Sequence, residues 1–106
     1  MLSLKFKTIN PATEGIINEY ENMTYEHLDN ILMNAKNAFV LWKEEFKKRA
    51  DYLYAFANEF RKNKDNLAKI ATQEMGKPIR ESKTEVEKCA WAMEYFADNG
   101  QIFMTD

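Results

Sequence analysis

IATQEMGKPIRES, residues 70–82, decides the fold of this chain. Gly76 stands where a helix that is ending wants a left-handed residue, and Pro78 cannot continue that helix but can precede a new one. The stretch therefore reads as a stop and a restart between two helices. Upstream, Asn63 is placed to cap a helix over 64–75, with Leu67, Ile70, Ala71 and Met75 inward. Downstream, Ile79, Ser82, Val86, Cys89, Ala90, Met93, Ala97, Gly100 and Phe103 form the stripe of a long helix over about 79–103. Ser82 and Glu85 also have capping-box spacing, which allows a later start. A second face of this helix carries Thr84, Lys88, Trp91 and Tyr95.

Working back towards the N-terminus, Phe46, Ala50, Leu53, Ala57 and Phe60 define one face of a helix over 46–62. Tyr52 and Phe56 lie off that stripe, so this helix is expected to be covered on two sides. Thr24 is a good N-cap for an earlier helix whose stripe is Leu28, Ile31, Leu32, Ala35, Ala38, Phe39 and Trp42. LKFKTI at 4–9 alternates as a half-buried strand should, NPATEG at 10–15 is dense in turn formers, and IINEY at 16–20 fits a second strand. The expected fold is mostly α, about four helices, with a short N-terminal β-hairpin or arm. Residues 1–22 form the arm and 23–106 the helical part. Two substantial faces on one helix want neighbours that four helices cannot all supply, so the piece is expected to be incomplete.

Length and composition exclude several classes. At 106 residues the chain is one domain at most. It is 45% hydrophobic and 30% charged, ample for a core. A net charge of −2 with mixed signs gives no electrostatic footprint for nucleic acid or an anionic membrane. The longest apolar run, AFVLW at 38–42, falls far below the ~20 residues a membrane span needs. MLSLKFKTIN has neither an apolar core nor a small-residue cleavage site, so no secretory leader is expected there. A single cysteine suits a cytoplasmic protein.

Residues with chemical potential are few. Cys89, the one thiol, falls mid-helix on the apolar stripe and reads as a buried structural cysteine. His27, the one histidine, sits in the first turn of a helix and reads as solvated. The carboxylates read as solvent-facing partners of lysines and other polar neighbours, such as Glu44 with Lys48 or Glu59 with Asn63. The only glycines are Gly15, Gly76 and Gly100, so no glycine-rich phosphate loop exists. By these patterns alone the chain is a soluble helical module with no active site.

The succession of segments adds what periodicity does not. INPATEGIINEY, AFVLWKEEFKKRADYLYAFANEFRKNKDNLAKIATQEMGKPIRES and EVEKCAWAMEYFADN together resemble the N-terminal portion of the aldehyde dehydrogenase family over about 8–103. The shared elements are NPAT, the W…RA…L…A…L…N…LA pattern, and E-x-GKP followed by EV. The block EVEKCAW…EYFA most resembles the bacterial succinate-semialdehyde dehydrogenase branch. One departure stands out: the usual NPATG-E reads NPATEG here.

The resemblance implies an α/β parent in which 23–106 is the helical part of the cofactor-binding domain. It also implies oxidation of an aldehyde to a carboxylic acid with NAD or NADP. In the family the nucleophilic cysteine, the general base, the oxyanion donor and the cofactor site come later than this segment. No catalytic or cofactor-binding residue is therefore expected here, and Cys89 does not match the catalytic position. Thr84, Lys88 and Trp91 fall on the helix that lines the substrate tunnel in many members, with Lys88 placed to attract an anionic semialdehyde. A solvated lysine is the plainer reading. Glu74 and the carbonyl of Ile9 match two ligands of a structural monovalent cation seen in some members. Implied partners are the rest of the subunit and further copies, joined through exposed apolar faces. The rival expectation is a stand-alone helical interaction module offering its Trp91–Tyr95 face.

Overall fold

Thr24 opens the first helix as its type and place demand, its hydroxyl oxygen accepting from the His27 N–H at 3.1 Å. In the structure, a computed structural model, residues 4–106 are described; residues 1–3, the start of the expected arm, lie outside them. Two strands, β1 (Lys5–Ile9) and β2 (Ile16–Glu21), precede four helices: α1 (Tyr25–Trp42), α2 (Phe46–Lys62), α3 (Lys64–Met75) and α4 (Ile79–Phe103). The expected architecture holds within a residue at nearly every boundary.

The strands form an antiparallel hairpin with Phe6 opposite Tyr20, their rings stacked at 5.2 Å, and an irregularity between Thr8 and Ile9. Its turn is built by Asn10, whose side-chain oxygen accepts from the Ala12 N–H at 2.9 Å. Glu14 has φ +61°, the left-handed region. This is the physical meaning of NPATEG. The transposed Gly and Glu leave a side chain in a conformation that costs a non-glycine residue about 1–2 kcal/mol.

Gly76 adopts φ +75° and closes α3 through its N–H to the Thr72 carbonyl at 2.9 Å. A Cβ there would also stand 2.9 Å from Pro11 Cγ. The hairpin turn thus rests on the α3–α4 turn, and Gly76 is required twice, by its backbone and by its neighbour. Pro78 precedes α4, which starts at Ile79. Ser82 is not a cap. It is fully buried and shares a 2.8 Å hydrogen bond with Thr72 of α3. Asn63, expected to cap α3, makes no side-chain cap and donates instead to the Glu59 carbonyl of α2 at 2.8 Å.

The core is a seam where α4 meets α2 and α3. Ala57, Ala68 and Ala90 are completely buried there and Val86 nearly so. Small side chains on all three helices bring the axes close. Several inward assignments fail, among them Ile79 and Phe103 at the two ends of the α4 stripe, which are exposed. On α3 the buried residue is Ala68, while Ile70 and Met75 face outward. On α4 Cys89 is exposed, because each residue turns 100° and Ala90 takes the inward place. Phe46, Ala50, Leu53 and Phe60 of α2 are half-buried on the predicted face.

α1 stands apart. None of its residues is buried, and its whole stripe from Leu28 to Trp42 is exposed. The consequence shows in the dimensions: the radius of gyration is 18.1 Å, against about 13 Å for a compact domain of this length. Apolar surface is arranged for covering and is not covered within this chain.

Candidate functional site

Residues on the outer face of α4 were singled out by spacing, and the helix does bring them together. Thr84, Lys88 and Trp91 are all exposed on the side away from the core seam. The Thr84 hydroxyl donates to the Arg80 carbonyl at 3.1 Å. Trp91, 62% exposed, stacks on Tyr95 at 5.7 Å, and Tyr95 meets the edge of Phe96 at 5.4 Å. The face is an aromatic wall with a cationic head at Lys88. Trp91 and Tyr95 present their rings outward, a surface suited to apolar contact.

Glu74 lies half-buried in the last turn of α3, and Ile9 ends β1, which packs against α3. The two elements expected to share a cation are thus neighbours. Lys77, between Gly76 and Pro78, forms an ion pair with Glu85 of α4 and so braces the turn from within the chain. No group of three or more His, Cys, Asp or Glu side chains converges to hold a metal among the described residues. His27 and Cys89 lie on different helices, both exposed.

An ion-pair network that the periodic reading missed ties the three core helices. Arg61 of α2 donates through Nε to Glu87 at 3.2 Å and through Nη2 to Glu94, while Lys64 of α3 reaches Glu87 at 3.2 Å. The available signal was the seven-residue spacing of Glu87 and Glu94, which places both on one flank of α4 beside the apolar stripe. By contrast, Glu44 and Lys48 do not form an ion pair; Lys48 lies over the Trp42 ring at 5.7 Å. Glu59 and Asn63 do meet, at 3.3 Å. Further along the same flank of α4, the Tyr54 hydroxyl donates to Asp98, and that bond raises the phenol above its usual pKa.

Hydrogen bonds from Lys64 first, and then Arg61, hold the Glu87 carboxyl below its ordinary 4.5. A depressed carboxylate contributes stability above its unfolded pKa and loses it as pH falls through the folded value. The attachment of α4 to α2 and α3 is therefore expected to weaken below about pH 4.5, and Glu87→Gln to flatten that loss. Acid unfolding followed by circular dichroism checks this. Added salt shrinks the difference, because the groups are only half-buried.

Two grooves stand out among the described residues. One of about 500 Å³ is lined by Trp42, Arg49, Tyr52, Leu53, Phe56 and Glu59. The other, about 770 Å³, lies between the start of α2 and the end of α4, against Tyr54, Phe96 and Met104. Neither gathers a nucleophile with a base.

Comparison with known proteins gives this surface its context. The model of the aldehyde dehydrogenase family matches residues 3–105. A 3,6-anhydro-alpha-L-galactose dehydrogenase of Vibrio sp. (strain EJY3) is 33% identical across 94% of the chain and 22% of its own length. A succinate-semialdehyde dehydrogenase (NADP+) of Mycobacterium tuberculosis (strain ATCC 25618 / H37Rv) is 31% identical across 93% of the chain and 22% of its own. Among solved structures, succinic semialdehyde dehydrogenase from Streptococcus pyogenes, in complex with NADP+, superposes with a TM-score of 0.89 at 32% identity. That match covers 94% of this chain and 22% of the other. A betaine aldehyde dehydrogenase from Staphylococcus aureus shares the fold at a TM-score of 0.83. The chain thus spans about a fifth of the length of the relatives it matches. With a family model running almost from end to end and relatives above 30% identity, the chain belongs to the aldehyde dehydrogenase family.

Proposed function

We propose that this chain is the N-terminal helical portion of an NAD- or NADP-dependent aldehyde dehydrogenase that oxidises succinate semialdehyde, or a similar anionic semialdehyde, to the carboxylic acid. The observation that carries the reading is the superposition on the Streptococcus pyogenes enzyme, close in both backbone and sequence over 94% of the chain. Residues 1–22 serve as the arm and 23–106 as the helical part of the cofactor-binding domain. The chain's three glycines offer no loop to cradle a dinucleotide phosphate, so the cofactor and the reacting groups belong to the remainder of a subunit. The 106 residues alone are inactive in this reading, and the whole enzyme is cytoplasmic and assembles with further copies.

Within that enzyme Thr84, Lys88 and Trp91 line the substrate entrance. A lysine ammonium beside an aromatic wall attracts a carboxylate-bearing aldehyde without touching its reacting carbon. Glu74 and the Ile9 carbonyl contribute oxygen ligands to a structural monovalent cation, hard donors for a hard ion.

The test is a chimera in which residues 3–105 replace the equivalent segment of the Streptococcus pyogenes enzyme. The chimera is expected to oxidise succinate semialdehyde. Lys88→Glu in it is expected to raise KM for that substrate about tenfold while leaving KM for a neutral aldehyde unchanged. A folded chimera without turnover would contradict the activity assigned here. An equal KM change for both aldehydes would contradict the role of Lys88.

A further inference from the structure

α1 carries an apolar stripe that the described residues leave uncovered. We propose that α1 is the docking surface for the remainder of an aldehyde dehydrogenase subunit, and that the docking holds with no peptide bond joining the two pieces. The proposal rests on the family reading above and not on the choice of substrate. The stripe already stands in place for such a partner. The match to the Streptococcus pyogenes enzyme covers 94% of this chain, a share that cannot leave out an 18-residue helix, and 22% of the other. α1 therefore keeps the placement it has beside the rest of a complete relative, and no rearrangement precedes docking. Trp42, at its end, meets Tyr52 of α2 edge-on at 5.5 Å, and the groove beyond runs past Phe56. The docking surface thus continues from α1 onto the outer side of α2.

The chemistry of α1 decides among occupants. Successive helical residues turn by about 100°, so Phe39, Val40, Leu41 and Trp42 look out on every side of its last turn. The first three are 59%, 61% and 80% exposed. A helix apolar all round is one that a protein body surrounds. A second copy meeting it face to face, or a lone helix, would cover one side only. A lipid surface fits no better. Membrane-surface helices are rich in Lys and Arg on their polar face, whereas between Leu28 and Trp42 the only charged residues are Asp29 and Lys36. The relatives run to several times the length of this chain, and a body of that size can enclose the helix. Docking between separate pieces follows from where the internal contacts lie. The α2–α3–α4 seam closes within residues 46–103, with Arg61, Lys64 and Glu87 tying its three helices. The hairpin is held from inside as well, through Pro11 against Gly76. These elements do not wait for the partner. α1 does, since an 18-residue helix without one buried residue is marginal in water.

Co-expression tests it. The partner is the Streptococcus pyogenes enzyme without the segment this chain matches, and the 106-residue chain carries an affinity tag. The expected result is capture of that partner in equal amount, with turnover within about tenfold of the fused chimera. Leu28→Ser, Leu32→Ser and Phe39→Ser combined are expected to weaken capture at least about tenfold. None of the three belongs to the core seam. Asn30→Ser with Asn37→Ser, on the opposite side of α1 by spacing, is expected to leave capture unchanged. Where the truncated partner does not fold by itself, the fused chimera with a protease site at the junction reads the same contact. Its two pieces are expected to elute together on gel filtration after cutting, and to separate in the triple variant. Pieces that stay apart while the uncut chimera turns over would overturn the docking and leave the functional reading standing. Pieces that hold together without turnover, cut or uncut, would support the docking and contradict the activity. Capture that survives the triple substitution would overturn the assignment to α1. So would a tagged chain that takes up a second copy of itself through those same three residues.

Discussion

Ala90→Leu is expected to detach α4 from α2 and α3. Ala90 has no exposed surface and shares the seam with Ala57, Ala68 and Val86. Three more carbons there have no space to enter, and overfilling a packed site costs about 1–3 kcal/mol, occasionally more. The core of this chain is small, so a loss of that size removes most of its cooperative unfolding. Urea titration by circular dichroism reads the effect. Cys89→Leu, one residue away, is the control: its side chain faces solvent and the expected change stays within about 0.5 kcal/mol. If both substitutions destabilise equally, the seam does not lie where the structure puts it.

A second large effect is expected in the mass of the chain in solution. Trp91, Tyr95, Phe96 and Phe103 are all exposed on the outer sides of α4. Contiguous apolar surface of this kind drives association. Light scattering is expected to show a mass at least doubling as concentration rises, with copies meeting through the α4 aromatics. Replacing Trp91 and Tyr95 together by Ser is expected to restore the monomer, since neither contributes to the internal core. A monomer at every concentration, with both aromatics intact, would contradict this use of the face. It would also favour a stand-alone module whose exposed side awaits a different partner.

The hairpin and all four helices were legible because each has a local cause: alternation over 4–9, the Thr24 cap, and the Gly76–Pro78 stop and restart. The outer face of α4 was legible for the same reason, since Thr84, Lys88 and Trp91 follow from helical period alone. What failed was rotation about a helix axis. Cys89 and Ala90 both fit an apolar stripe, and only the position of α2 and α3 decides which one is buried. Ala68 was overlooked beside Leu67 because hydrophobicity favours the larger side chain, whereas a close helix crossing needs the smaller. Arg61 with Glu87 and Glu94 joins residues 26 and 33 positions apart, and no local pattern announces such pairs. Ser82 looked like a cap because its spacing to Glu85 is a capping signal. The buried hydroxyl of the α3–α4 seam has the same spelling.

The central claim is that these helices serve a reactive centre housed elsewhere in a larger subunit. Its most direct test supplies the purified 106-residue chain with succinate semialdehyde and, in turn, NAD and NADP, and follows formation of the reduced cofactor. No formation above the protein-free rate is predicted, even at high protein concentration, while the chimera described above turns over under the same conditions. Reduced cofactor produced by the isolated chain, and lost when Cys89 is replaced by Ser, would contradict the claim outright.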